Sequence, residues 1–363
     1  MTRPRAREAG VWFGELPTGP KNMLTDVMGV KVGHCTIVKG TGPLIPGSGP
    51  VRTGVTAILP GPESLYEKPV RAAFFDFNGC GGLSGSLQIE EFGVIDTPIM
   101  LTNTMSMGMV SDAVIRYMLR ENKGVGVDGD TIIPIVSECD DSHLNDSRGL
   151  HVKEEHVLAA IENAGSIVQE GAVGAGTGMT CYDFKGGIGT SSRLVSTPAG
   201  KFTIGSLVLT NHGDWNELRI DGVPVGSLLG PPEKHRSEKG SVVMVVGTDA
   251  PLDGRQLKRV AKRAIMGLAV TGASSQTTSG DIVIAFSTAN RYERSKQEGL
   301  VTFNLMQDRD LDVVFRATID SVAESIVNSL FQAETVEGRD GNISYALPID
   351  RTLAILKAHG RLR

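Results

Sequence analysis

A mixed α+β fold, neither a β/α barrel nor a doubly wound sheet, is what the sequence predicts. Three observations carry that expectation. Short apolar, β-branched runs such as SVVMVV from 241 and GDIVIAFST from 280 follow polar or Gly-containing turns, as buried strands do. Longer stretches, 253–272 and 311–338 among them, repeat apolar residues at helical spacing. The two kinds of segment do not alternate one for one, and no internal repeat is visible.

In chain order, 24–38 (LTDVMGVKVGHCTIV) alternates as a strand or hairpin, and GVTAILPG at 54–61 reads as a short buried strand closed by Pro60 and Gly61. RAAFFDFNGCGG, 71–82, reads as a core strand entering a glycine-dense turn at Asn78–Gly82, whose amides could face a ligand. A helix is expected over Val110, Val114 and Met118 with its stop at Gly124, and the polar residues Thr102 to Ser106 sit at its N-terminus. TIIPIVSECDDSHLNDSRG, 131–149, passes from an apolar run to an acidic loop, which places Glu138 at a strand end. Beside Asp140, Asp141, Asn145 and Asp146 it suits a cation or an ammonium group, or simply a solvated turn.

HVKEEHVLAAIENAG, 151–165, is a helix with Val152, Val157 and Ile161 inward. Its His151 and His156 are five apart, which is wrong for a metal shared on one helical face. The GAGTG at 174–178 lacks the Lys and Ser/Thr of a phosphate loop and reads as a tight sheet-edge turn. From 201 to 226 the chain reads as strand, polar turn and Asp-Gly hairpin, so Asn211 emerges at the end of a core strand. Segment 253–272 is a helix with Asp253 as its cap and Gly272 as its stop. Ser279 and Asp281, two apart at the mouth of the following strand, project from one face. A long amphipathic helix over 311–338 and a shorter one from Pro348 close the chain.

Bulk properties narrow the class. At 363 residues, one large domain or two is possible. With 40% hydrophobic and 21% charged residues it is an ordinary globular composition, and a net charge of -5 without a basic block argues against a nucleic-acid partner. The 45 glycines against 17 prolines, with no short period, call for many turns and close backbone approaches. Cys35, Cys80, Cys139 and Cys181 are scattered, which suits a reducing compartment. The basic start has no secretory core and no run approaches the roughly 20 apolar residues of a membrane span. A soluble, cytoplasmic protein without membrane partner, cofactor or metal is therefore expected.

The chemistry concentrates at Gly240-Ser241, where a charged, Pro-containing loop (GPPEKHRSEKG) opens into an apolar strand. A serine at a newly made N-terminus can use its own α-amino group as base, since that amine titrates near pH ~7.7–8.0. No histidine is then needed, and none of the seven stands in a serine-hydrolase motif. Four ordered motifs carry a resemblance: GSVVMVV-x-TDAPL at 240–252, SGDI-x-x-AFSTAN at 279–290, NHG at 211–213 and ECDD-x-x-LND-x-RG at 138–149. Over nearly its whole length the chain resembles the DmpA/β-aminopeptidase family of self-processing N-terminal-nucleophile hydrolases.

The resemblance implies a single layered αββα sandwich over 1–363, cut between Gly240 and Ser241 into 1–240 and 241–363. It implies Ser241 as nucleophile, Asn211 as oxyanion donor, Ser279 and Asp281 as the pair that orients the nucleophile and joins in processing, and Glu138 as receiver of the substrate's amino group. The expected partners are small peptides, amides or esters with a free amino terminus, and other copies of the chain in a homotetramer. Where some relatives carry tyrosine two residues after the glutamate, this chain has Asp140, which leaves substrate preference open. An acyltransferase of the ornithine acetyltransferase type shares the architecture but normally uses threonine, so Ser241 argues against it. A ligand-binding protein that never cleaves is the other alternative.

Overall fold

The computed structural model describes residues 3–234, 240–294 and 299–363. In chain order the strands are β1 (Lys31–Lys39), β2 (Val51–Leu59), β3 (Val70–Gly79), β4 (Val94–Ile95), β5 (Ile99–Asn103), β6 (Ile135–Cys139), β7 (Thr180–Cys181), β8 (Phe184–Lys185), β9 (Ile188–Thr197), β10 (Gly200–Thr210), β11 (Val242–Thr248), β12 (Gly280–Ser287), β13 (Val336–Glu337) and β14 (Ile343–Ser344). The helices are α1 (Ser86–Phe92), α2 (Met107–Glu121), α3 (Glu154–Glu162), α4 (Val225–Leu229), α5 (Gly254–Val270), α6 (Leu311–Gln332) and α7 (Ile349–Ala358). One main sheet has the order β1-β2-β5-β6 and the other β4-β3-β12-β11-β10-β9. The neighbours are antiparallel except for β5–β6 and β11–β12.

Strand alternation builds the layers. Along β11, Val243 and Val245 join Ile58, Leu101, Ile135 and Leu207 in the core between the two sheets. Their neighbours Val242, Met244 and Val246 join Leu257, Val260, Ile326 and Leu330 of α5 and α6. On the far face of the smaller sheet, Val55, Met100 and Val136 pack with Val110, Val114, Val157 and Ile161 of α2 and α3. The order is helices, sheet, sheet, helices, which is the αββα sandwich that the resemblance implied. Because β11 is covered on both faces it reads as a continuous apolar run.

Several elements differ from expectation. α6 ends at Gln332 rather than 338, where its last residues lie against the backbone of Gly171. It is also buried on nearly all sides. Its polar stripe meets hydroxyls of the sheet instead of water: Ser321 and Ser325 bond Ser206, and Ser329 bonds Thr210. A side chain at Gly189 would stand 1.9 Å from the Ser325 carbonyl, so the helix sits directly on the strand backbone. The 218–226 hairpin reduces to one bridge, Ile220 to Val223, around the Asp221-Gly222 turn. Pro224 offers no donor to extend that ladder, and α4 follows at once. The end of β3 is not core, since Phe77 is half exposed. The GAGTG turn lies inside, with Ala175 in the core between the sheets. Asp253 caps α5 through the Gln256 amide, and Gly272, with φ +106°, ends it. Among the described residues no helix is long and apolar enough to cross a membrane.

Candidate active site

Ser241 lies one residue before β11, in the middle of the larger sheet and almost fully buried. Its placement is a matter of two neighbouring strands. On one side the Asn211 amide donates to the Ser241 carbonyl at 3.0 Å, where β10 ends. On the other, the parallel register sets Val242 beside Asp281, so that the Gly280 amide donates to Ser241 Oγ at 3.1 Å. Ser279 and Asp281 do share a face: the Ser279 hydroxyl donates to Asp281 Oδ1 at 2.7 Å. Burial pushes the Asp281 carboxyl upward and Asp76 adds to this, while the Ser275 and Ser279 hydroxyls pull it back.

Asn211 is wholly buried and held at both ends of its carboxamide. The Thr180 amide donates to Oδ1 at 3.0 Å, and Nδ2 donates to the Asp140 carbonyl at 2.8 Å. Gly240 rests on this side chain. A Cβ there would stand 2.2 Å from Asn211 Nδ2 and 2.1 Å from its backbone oxygen, so the Gly240-Ser241 peptide abuts the expected oxyanion donor. The charged loop expected to precede it runs through 235–239, which lie outside the described residues. Gly240, Ser279, Asp281, Ser275, Gly213 and His212 line a narrow cleft at this point.

Glu138 is the penultimate residue of β6 and is buried. Oε1 accepts from the Gly82 amide at 2.8 Å, and Oε2 accepts from the Thr104 hydroxyl. Burial pushes its carboxyl above the usual range, against the pull of those two donors; the Asp140 charge pushes with burial. The glycine-dense turn therefore does present an amide, but to Glu138. It also joins the two halves of the site: Cβ positions built on Gly81 lie 3.2 Å from Glu138 Oε1 and 3.5 Å from the Gly280 Cα. The other acidic residues are taken up by hydrogen bonds within the loop and to the segments packed against it. Asp141 takes Asn145 and Ser147, Asp146 takes Gly47, Gly149 and His151, and Asp140 takes the amide and hydroxyl of Ser142. Among the described residues no His, Cys, Asp and Glu group is placed to hold a metal ion.

Sequence reasoning missed the supports of this site. Thr104 stood within the polar stretch assigned to a helix N-terminus, yet its hydroxyl holds Glu138. The Gly280 and Thr180 amides are backbone groups, which side-chain patterns cannot reveal. β5 and β9 were missed as strands, although PIMLT and the run from Ile188 carry β-like character.

The sandwich, with a buried serine at the head of a central strand and an Asn, a Ser-Asp pair and a Glu around it, is the arrangement expected of a serine hydrolase of the N-terminal-nucleophile hydrolase fold, and the comparisons with known proteins give that class. A family model, Peptidase family S58, matches residues 22–344. Beta-peptidyl aminopeptidase BapA of Sphingosinicella microcystinivorans is 42% identical across 99% of this chain and 93% of that protein. Among solved structures, a protein of Pyrococcus horikoshii OT3 superposes with a TM-score of 0.95 at 48% identity, covering 99% of this chain and 100% of the other. The L-aminopeptidase D-Ala-esterase/amidase of Ochrobactrum anthropi, described as a variant of the Ntn hydrolase fold, gives 0.93 at 41% identity with the same coverage. The chain belongs to peptidase family S58, the DmpA/β-aminopeptidase family, and is a serine aminopeptidase.

Proposed function

We propose that the chain cuts itself between Gly240 and Ser241 and that the freed serine then releases N-terminal residues from small peptides, amides or esters. The observation that carries this reading is the packing of Gly240 on Asn211 while Gly280 holds Ser241 Oγ. In maturation, Ser241 Oγ attacks the Gly240 carbonyl carbon and its proton passes to the departing nitrogen. The resulting ester is hydrolysed by water, which leaves a Gly240 carboxylate and a free α-amine. In the intact chain that nitrogen belongs to a peptide and has no basicity; after the cut it can take the Oγ proton.

In turnover Oγ attacks the substrate carbonyl, the leaving amine or alcohol departs with a proton, and water hydrolyses the acyl-enzyme. Asn211 Nδ2 carries two hydrogens. The Asp140 carbonyl fixes the direction of one, which orients the carboxamide for an oxyanion. Ser279 and Asp281 steer the nucleophile, and Glu138, ionised, receives the substrate ammonium. Relatives named beta-peptidyl aminopeptidase and L-aminopeptidase D-Ala-esterase/amidase support β-amino and L-α-amino acyl groups as the substrates to offer first. We assign the unit a homo-oligomeric assembly in the cytoplasm, the former to be read by light scattering on a sizing column.

Intact-mass measurement of purified protein tests the central claim. Two chains parting at Gly240 are expected, and Ser241→Ala should yield one uncut, folded chain without aminopeptidase activity. An active wild-type enzyme consisting of one unbroken chain would overturn the reading.

A further inference from the structure

Arg193 and Lys185 are both fully buried cations, and they are treated very differently. Arg193 has the Glu324 carboxylate at 2.6 Å. Among the described residues Lys185 has no carboxylate within ion-pair distance. Its ammonium donates instead to three backbone carbonyls, Met179 at 2.6 Å, Gly186 at 2.7 Å and Gly176 at 3.0 Å. Placing a charge in the interior without a carboxylate partner is costly, and the same burial pulls the Lys185 pKa down to about 7, against an opposing upward pull from Cys181. A neutral side chain would fill this space more cheaply. The cage must return something for its cost.

What it returns is visible in the connectivity. The Met179 carbonyl and the Thr180 amide are two ends of one peptide group. The carbonyl end accepts from Lys185, and the amide end donates to Asn211 Oδ1 at 3.0 Å. Asn211 Nδ2 donates onward at 2.8 Å. An amide that accepts a strong hydrogen bond at oxygen shifts charge from nitrogen to oxygen and becomes a better donor at nitrogen, and in a low-dielectric interior such chains reinforce themselves. The second arm of the cage reaches the residue before Asn211. Beyond the Gly186 carbonyl, Gly187 exchanges hydrogen bonds with that residue, Thr210, at 2.9 and 3.0 Å.

We propose that Lys185 is a positioning residue for Asn211: its ammonium fixes and polarises the 179–180 peptide, which in turn orients the Asn211 carboxamide and strengthens its Nδ2 hydrogens. The proposal rests on Asn211 being the oxyanion donor. Lys185 touches no substrate and acts only through two intervening amides.

Lys185→Met and Lys185→Gln, alone and combined with Asn211→Ala, form the test, with kcat counted per cleaved chain. Each single variant should lower kcat about 10-fold or more, less than the ~10²–10³ that deleting such a donor costs, with KM little changed. Lys185→Gln keeps neutral donors in the cage, so its loss isolates the charge. In the Asn211→Ala background the Lys185 changes should cost nothing further. Unchanged kcat in the single variants, or losses that simply multiply in the double ones, would overturn the proposal while sparing Asn211. An Asn211→Ala enzyme with full kcat would overturn the Asn211 reading and this one with it. If neither Lys185 variant folds, the Thr180 amide proton of the wild-type enzyme decides by NMR: it should resonate far downfield, and a position in the ordinary backbone range would refute the relay.

Discussion

Gly280→Ala puts the geometry of the site at risk with a single methyl group. A Cβ there would lie 2.4 Å from the Cys80 carbonyl oxygen and 3.1 Å from the Gly81 Cα, whereas ordinary contact begins at 3.4 Å. Both obstacles are backbone, so no rotamer change relieves them; β12 and the 78–82 turn must part by about 1 Å. Gly280 carries the amide that holds Ser241 Oγ, and the next residues of the turn hold Glu138, so nucleophile and carboxylate are displaced relative to each other. Overpacking of this kind costs about 1–3 kcal/mol of stability, roughly 1 to 4 °C in melting temperature for a chain of this size. Misplacement by about 1 Å costs on the order of 10²-fold in rate. Scanning fluorimetry and kcat/KM on an aminoacyl anilide measure the two effects. A variant that retains wild-type kcat/KM would show that the Gly280 contact does not position the nucleophile, and the site as described would be wrong.

Two further outcomes follow from the electrostatics. Thr104→Val removes a donor that favours the charged form of Glu138; since burial already raises that carboxyl, its pKa should climb further. The acid limb of kcat/KM for substrates with a free amine should then move to higher pH, and an unmoved limb would detach Glu138 from substrate binding. Arg193→Met leaves a buried carboxylate short of a partner, which typically costs about 3–5 kcal/mol. Burial raises the Glu324 carboxyl, but the Arg193 and Arg7 charges outweigh it and hold it below its usual range. Such a group stabilises the fold above its unfolded pKa, and that contribution is lost as pH falls through the folded value. Urea unfolding should accordingly show the Arg193→Met deficit to be large at neutral pH and smaller near pH 4, and a deficit independent of pH would contradict the pairing.

Much of this was legible from residue order alone, and the reasons are specific. β11 and β12 announced themselves because a strand covered on both faces must be apolar throughout. α5 did so because one face is core and the other is water, with Asp253 and Gly272 marking its ends. α6 was harder. Its serines look like a solvent face, and only the approach of β9 and β10 shows that they meet other hydroxyls. Ser241, Asn211, Ser279, Asp281 and Glu138 could be named from motifs, but the groups that aim them could not. A backbone amide at Gly280 or Thr180 has no letter in the sequence. Lys185 has one, but nothing about an isolated lysine in a glycine-rich stretch says that it is buried.

The arrangement of the larger sheet bears on how self-cleavage would be detected. β11 and β12 lie after Gly240, yet their flanks are β10 and β3, which lie before it, joined by seven residue pairs on one side and eight on the other. A broken peptide at Gly240 would thus leave the sheet whole, and native size, spectra and sedimentation would register nothing. Only under denaturing conditions would two pieces come apart. Recovery from denaturant would then become a second-order process, faster at high protein concentration, whereas an unbroken chain refolds at a rate indifferent to dilution.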